Sequence, residues 1–178
     1  MNLKEHFNPK KTSHLIGYND KFNFLNDLIL KEKLPKALLN NQQFMLEVIQ
    51  IDGTNLKYAS KKLRSEKELV ETAIRQTGLA LAYASYELRA NKSIVLLAVG
   101  KDGTALQYAS KELQRDWEVV RKAVGQSGFA FEYASKELRA NRVLVLAAVQ
   151  NYGYALLYAP DNLRNDRDFI FQIVHNFI

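Results

Sequence analysis

The sequence GLALAYASYELR at residues 78–89 returns 25 residues later as GTALQYASKELQ, at residues 103–114, and then as GFAFEYASKELR, at residues 128–139. Five copies share the leading glycine, and each glycine is followed five residues later by Tyr-Ala. The five glycines are Gly53, Gly78, Gly103, Gly128 and Gly153. A fixed period of this length is typical of repeat proteins, so the chain consists of copies of one structural unit.

The segment before each glycine has the pattern of an amphipathic helix. In the third copy, residues 91–102, Ile94 and Val95 are followed by Ala98 and Val99, a spacing that places all four on one helical face. Most copies begin with a short polar side chain that can accept hydrogen bonds from first-turn amides. These residues are Asn41, Asn91, Asp116, Asn141 and Asp166, with Glu66 as the exception. We expect each glycine to end its helix in the left-handed conformation, where a residue without Cβ has no steric cost.

The run after each glycine predicts a second, shorter helix. In the third copy Leu106, Ala109 and Leu113 follow the spacing i, i+3, i+7. The residue after Tyr-Ala is serine in four copies and Pro160 in the last. Proline disfavours a helical conformation in the residue before it and fits the first turn of a new helix. We therefore predict two helices per unit, the second short and broken at the Ser/Pro position.

A unit of 25 residues cannot bury both faces of its own helices, so consecutive units must stack. The sequence therefore predicts an all-α fold, an α-solenoid of two-helix repeats. Residues 1–40 are expected to form an N-terminal capping segment, with one helix near 19–31 and a half-repeat at 34–39. Residues 41–178 are expected to form five repeats plus a terminal capping helix at 166–177, in one continuous domain.

Composition narrows the class of protein without naming a partner. The chain has 178 residues, a net charge of +6 and no cysteine, which excludes disulfides and thiolate metal sites. A basic chain favours acidic partners such as nucleic acid, an anionic membrane surface or an acidic protein face. Its uncharged apolar stretches are too short to span a bilayer, so no membrane insertion is expected.

The repeated unit, N/D-xx-hh-xx-AV-xxx-G-x-A-L-x-YAS-x-ELR with h apolar, resembles the helical repeats of domain of unknown function 4116. The likeness covers roughly residues 41–178 and departs locally at Lys62, Gln114, Pro160 and Asn162. The resemblance implies no activity and supplies no catalytic residues. Similar repeats occur in protists and in bacteria that live inside host cells. The resemblance therefore implies a host-directed or regulatory protein of an intracellular microbe. The expected location is the cytoplasm, or a host cell reached by a route without an N-terminal signal peptide.

The sequence lacks the patterns that catalysis and metal binding require. His6, His14 and His175 do not pair on one helical turn, and no HExxH arrangement is present. Equivalent serines in equivalent turns favour a local cap over a nucleophile. The glycines are too widely spaced to cradle a phosphate in one loop. We therefore expect a protein that is not an enzyme and has no metal and no cofactor.

The recurrent tyrosines and arginines have two interpretations each. A tyrosine ladder along the solenoid could stack bases or grip a peptide, but packing between units is favoured. The tyrosines are Tyr58, Tyr83, Tyr108, Tyr133 and Tyr158. The arginines are Arg64, Arg89, Arg139 and Arg164. For these, ion pairs with nearby glutamates of the chain are favoured over contacts with a partner.

Because stacking explains what the copies share, function is expected where they differ. Trp117, the only tryptophan, occupies a position that is basic in neighbouring copies at Lys92 and Arg142. Tyr86 replaces a lysine, and Tyr152 replaces a small polar residue. Exposed aromatic side chains are enriched at binding sites. The candidate partner-binding residues are therefore Trp117, Tyr86, Tyr152, Lys92 and Arg142.

Two functions remain open from the sequence. The first is a non-enzymatic protein–protein interaction scaffold that presents one face of the solenoid to a protein partner. The alternative is a nucleic-acid-binding helical repeat protein that uses one basic residue per repeat, as the net charge of +6 suggests. Glutamates interleaved with the basic positions weaken the alternative, because they interrupt a stripe of one sign.

Overall fold

A computed structural model describes residues 36–175, which form an all-α solenoid. Six long helices follow one another at the period of the repeat, and within the described range no β-strand occurs. The long helices are α1, Gln42–Ile51; α2, Lys67–Gln76; α3, Lys92–Lys101; α4, Trp117–Gln126; α5, Arg142–Asn151; and α6, Arg167–His175. The expected helix near residues 19–31 lies outside the described residues, as does most of the expected capping segment.

Two short helical pieces connect each long helix to the next. A six-residue 3₁₀ helix runs from the repeat glycine to the repeat tyrosine: Gly53–Tyr58, Gly78–Tyr83, Gly103–Tyr108, Gly128–Tyr133 and Gly153–Tyr158. One further short helical turn lies directly before each long helix: Lys36–Leu39, Leu63–Ser65, Tyr86–Arg89, Leu113–Arg115, Lys136–Arg139 and Asp161–Arg164. The break falls at the Ala-Ser step, where Ala109 has φ −66° and ψ 156°. The predicted break is confirmed. The part of the predicted second helix that lies before the break is a 3₁₀ helix.

The predicted caps start the long helices. Asn91 Oδ1 accepts hydrogen bonds from the amides of Ser93 at 3.1 Å and Ile94 at 3.2 Å. Asp116 accepts from the Val119 amide at 3.1 Å. Glu66, the exception in the sequence, makes no side-chain cap. Each cap satisfies amides that the first turn of a helix leaves without a partner.

The long helices form one layer of the solenoid and the 3₁₀ helices form the other, with a continuous core between them. From α1 to α5 each long helix packs against the next one, and α2 to α5 also pack against the 3₁₀ helices of their own and the preceding unit. In α3 the fully buried side chains are Ile94, Val95, Ala98 and Val99, as the periodicity predicts. The stacking of units thus buries the apolar face that no unit could bury alone.

The repeat glycines have a different role from the one expected. None adopts the left-handed conformation, and each begins a 3₁₀ helix after an extended residue. A Cβ atom on Gly103 would instead overlap the carbonyl oxygen of Ala123 in the following long helix. At Gly128 it would lie 2.6 Å from the Ala148 carbonyl oxygen. The prediction was wrong because the constraint is a close approach between two units, which a single unit does not reveal.

One backbone hydrogen bond joins each unit to the next at the serine position. The Ser85 amide donates to the Arg64 carbonyl oxygen at 2.9 Å, and the same contact recurs at Ser60, Ser110 and Ser135. The serine hydroxyls accept from the leucine amide three residues on, for example Ser135 from Leu138 at 3.3 Å. The expectation of a local cap is confirmed. Pro160 ends the series, because proline has no amide hydrogen to donate.

The last unit is covered less completely than the others. Gly153 is exposed, and a Cβ atom there would meet nothing within 4 Å. Val174 of α6 is 51% exposed, whereas Val149, one period earlier, is 4% exposed. Phe171 is 69% exposed. In the described part of the chain, no further unit follows α6 to cover this face.

Candidate interaction surface

The recurrent tyrosines are packing residues. All five are half-buried against the core at one position in each unit. They lie close enough along the stack for Tyr133 to interact electrostatically with Tyr108, and burial raises the pKa of the Tyr133 hydroxyl. The favoured interpretation of the ladder as packing between units is therefore confirmed.

The recurrent arginines do not form the expected ion pairs. Among the residues that the structure describes, no carboxylate pairs with Arg64, Arg89 or Arg139, and their Nε atoms are buried without a hydrogen-bond partner. Arg139 instead donates from Nη1 to the Tyr158 carbonyl oxygen at 3.2 Å. Arg164, in the last unit, does pair with Asp161. At Arg139, therefore, a backbone carbonyl oxygen of the next unit takes the place of the expected glutamate as acceptor.

Trp117 is the first residue of α4 and is 40% exposed, as the sequence indicates. Repeat register places it between Lys92 at the start of α3 and Arg142 at the start of α5. Val143, which follows Arg142, is 65% exposed. The first turns of these three helices form a continuous edge of the solenoid, called here the helix-start edge.

Lys92 makes two ion pairs within the chain. Its Nζ lies 2.8 Å from Asp116 Oδ2 and 2.9 Å from Glu118 Oε2. The hydrogen bond to Asp116 raises the pKa of Lys92 and lowers the pKa of Asp116. Lys92 therefore ties the start of α3 to the start of α4, and its charge is already neutralised.

Arg142 has the same arrangement one step along the stack. It pairs with Asp166, the capping residue of α6, and its guanidinium lies 5.0 Å from the centre of the Phe169 ring. Lys92 and Arg142 thus orient the helices on either side of Trp117. A partner at this edge meets two ordered ion pairs rather than two free cations.

Tyr86 and Tyr152 lie elsewhere on the unit. Tyr86 is 61% exposed and borders a cavity of about 180 Å³ that Arg89 and Tyr108 also line. Tyr152 is half-buried against the core, with its ring 5.9 Å from the ring of Phe129. The ring of Tyr152 therefore belongs to an aromatic packing cluster, and its role as a partner-binding residue stays a prediction.

The candidate aromatics do not form one site. Trp117 begins a long helix and Tyr152 directly follows the end of one. A ten-residue helix is about 15 Å long, so these two registers lie at opposite edges of the helical layer. Tyr86 lies in the connecting turn after the serine. Of the other candidate residues, Lys92 and Arg142 therefore lie near Trp117, and Tyr86 and Tyr152 do not.

A groove over α3, missed in the sequence, lies on the outer face of the long-helix layer. Its floor is formed by α3 and its walls by α2 and α4, and its volume is about 490 Å³. The lining residues of this α3 groove are Ile74, Arg75, Leu96, Leu97, Gly100, Lys101 and Lys122. Leu96 and Leu97 are half-buried, while the three cations are exposed.

A signal for the groove is present in the sequence. The long helices alternate at one outer-face position: α1, α3 and α5 carry Leu46, Leu96 and Leu146, where α2 and α4 carry Glu71 and Arg121. Leu96 and Leu97 stand one period before Arg121 and Lys122. Asparagine caps begin α1, α3 and α5, and acidic residues precede α2, α4 and α6. The unit of recurrence on the surface is therefore a pair of repeats.

This pairing agrees with the family comparison. The fold and its surfaces define the chain as a helical-repeat α-solenoid. It belongs to the family described as Domain of unknown function (DUF4116), whose model matches residues 41–89, 91–139 and 141–177. Each full match spans two of the 25-residue copies. No curated protein and no solved structure gives a significant match to the chain.

Two further observations concern the described residues alone. Over residues 36–175, no helix is both long enough and apolar enough to cross a membrane. In the same range, no group of three or more histidine or carboxylate side chains is placed to hold a metal ion.

Proposed function

We propose that the protein is a non-enzymatic protein-interaction scaffold that binds its partner at the helix-start edge, with Trp117 as the anchor. The observation that carries the proposal is the exposure of Trp117, which is 40% exposed. Its neighbours at this edge, Lys92 and Arg142, already form ion pairs within the chain. Tryptophan is enriched among the residues that dominate binding energy, especially where ordered polar groups surround it.

The surroundings of Trp117 support an anchor rather than an isolated exposed ring. The ion pairs of Lys92 with Asp116 and of Arg142 with Asp166 hold the flanking first turns in place. An ordered surface loses less conformational entropy on binding than a mobile one. Val143 adds a second exposed apolar side chain on the neighbouring helix.

Nucleic-acid binding by one basic residue per repeat is the less supported alternative. Lys92 and Arg142, its strongest candidates, each have a carboxylate partner within the chain. Phosphate binding at these positions would have to displace that partner. A titration with mixed RNA and DNA at low salt tests this alternative, because phosphate contacts are strongest there.

The test of the scaffold proposal is capture of a partner from the native cell or host, followed by an affinity measurement with that partner. Trp117→Ala is expected to weaken binding about 30-fold, the loss of an anchor of about 2 kcal/mol. Tyr154→Ala is the matched control, because Tyr154 is 70% exposed and lies far from the first turn of α4. Equal affinities for the wild type and Trp117→Ala would contradict the role of Trp117 as the anchor. Binding of RNA without binding of any protein would contradict the scaffold proposal.

A further inference from the structure

The α3 groove combines an apolar floor with cations that have no carboxylate partner among residues 36–175. Arg75, Lys101 and Lys122 are exposed, and within the described part of the molecule none lies within 4 Å of a carboxylate. Leu96 and Leu97 lie between them. Basic residues that are not neutralised internally retain their full attraction for an external anion.

Gly100 keeps the floor of the groove open. A Cβ atom at Gly100 would lie 2.8 Å from Cε of Lys122 and 3.2 Å from its Nζ. The equivalent positions in the other two apolar long helices are Gln50 and Gln150. Gly125 occupies the same register in α4, but a Cβ atom there would meet nothing within 4 Å, so the crowding of Lys122 is particular to Gly100.

We propose that the α3 groove binds an acidic segment of a partner protein. Two apolar side chains of that segment pack on Leu96 and Leu97, and two of its carboxylates pair with Arg75 and Lys122. This inference rests on the proposed scaffold function and names a second contact surface for it. None of the residues that line the groove is acidic. Carboxylates are therefore the complementary charge on every side of the floor.

The geometry restricts the pattern of the segment. Arg75 and Lys122 belong to α2 and α4, two helix spacings apart, or about 16–20 Å between axes. The Lys122 side chain reaches over α3 to Gly100, so the gap between the two charged groups is shorter than the distance between the axes. An extended chain advances about 3.3 Å per residue, so the two carboxylates are expected about four or five residues apart. The apolar residues lie between them.

Other anionic ligands fit the groove less well. Single-stranded nucleic acid is bound by aromatic platforms beside basic residues, and no aromatic residue lines this groove. Recognition of anionic membranes uses clusters of about four to eight basic residues, more than the groove provides. Two larger grooves of the described residues carry both charges, so neither has a single complementary charge. The groove of about 650 Å³ is lined by Glu132 and Lys136, and the groove of about 620 Å³ by Arg167 and Asp168.

The experiment selects random twelve-residue display peptides on the full chain, with counter-selection on the Lys122→Glu variant. We expect enrichment of sequences with two acidic residues flanking apolar ones. An enriched peptide, synthesised with a fluorophore, is then titrated against the variants. Lys122→Glu is expected to weaken binding at least tenfold, and Gly100→Gln to weaken it by filling the floor with the residue native at positions 50 and 150.

The control variant is Lys136→Glu, which reverses an exposed lysine outside the groove. It is expected to change the affinity less than twofold, and all variants are compared by circular dichroism. Four outcomes overturn the inference: no enrichment, enriched peptides without acidic residues, an equal loss in Lys122→Glu and Lys136→Glu, or tighter binding to phosphatidylserine vesicles or single-stranded RNA than to any peptide.

The same proteins separate this inference from the scaffold proposal. Weaker capture of the cellular partner by Trp117→Ala, without groove-dependent peptide binding, overturns the inference about the groove alone. Groove-dependent peptide binding with unchanged partner capture by Trp117→Ala supports the groove and removes the anchor.

Discussion

Gly103 packs so closely beneath Ala123 that a side chain on Gly103 would overlap the Ala123 carbonyl oxygen. The same fit places the Ser127 amide nitrogen 2.9 Å from the position of that missing Cβ. The 3₁₀ helix of one unit and the long helix of the next therefore meet backbone to backbone. This contact, repeated along the stack, sets how closely the units approach.

The effect of substituting alanine for a repeat glycine should therefore depend on how closely the next long helix approaches it. Gly103→Ala is expected to destabilise the fold by about 1 to 3 kcal/mol or more, because backbone atoms must move to admit the methyl group. Gly153→Ala, at the same repeat position, is expected to have little effect, since nothing lies within 4 Å. Chemical denaturation measures both. Equal losses at the two positions would mean that the glycine is required by its own unit.

The hydrogen bond between units at the serine position predicts a difference between two substitutions of one residue. Ser85→Ala removes the hydroxyl, which caps the Leu88 amide and hydrogen-bonds Glu87, and leaves the backbone amide in place, a loss of about 0.5 to 1 kcal/mol. Ser85→Pro also removes the amide that donates to the Arg64 carbonyl oxygen, and is expected to cost about 1 kcal/mol more. The backbone at Ser85, with φ −61°, already suits proline.

The unfolding free energy of Ser85→Ala and Ser85→Pro should be compared with that of Pro160→Ala. Position 160 donates no such hydrogen bond, and Pro160→Ala makes the opposite change, because alanine supplies the amide hydrogen that proline lacks. A proline variant at position 85 as stable as the alanine variant would show that the bond contributes nothing.

The pair of Lys92 and Asp116 predicts a dependence of stability on pH. Because Lys92 lowers the pKa of Asp116 in the folded state, the pair stabilises the fold above the unfolded pKa of about 3.9. That contribution is lost as pH falls through the lowered folded pKa. Asp116→Asn should therefore be less stable than the wild type at pH 7, and the difference should shrink toward pH 2.

Thermal unfolding between pH 7 and pH 2 measures this difference, and high salt should reduce it because the pair is partly exposed. Asp168→Asn is the matched control, an exposed acid outside the pair. A difference between the wild type and Asp116→Asn that stays constant across the pH range would show that the charge of Asp116 does not contribute to stability.

Much of the candidate surface could be read from the sequence, but the role of each residue could not. The exposure of Trp117 follows from its place in a polar register. The partners of Lys92 could not be found without the stacking register, because Asp116 is 24 residues away. Tyr152 stands in a polar register as well, yet its ring packs with Phe129 of the preceding unit.

The sequence by itself determined the repeat, the helices, their caps and the break after Tyr-Ala, because these depend on side chains within a few residues of one another. The tertiary structure alone decided why the glycine recurs, where Arg139 donates, and which faces remain open over α3. These features arise between units. A contact such as Gly103 with Ala123 joins residues that the local pattern describes separately, and only the stacking distance brings their backbones together.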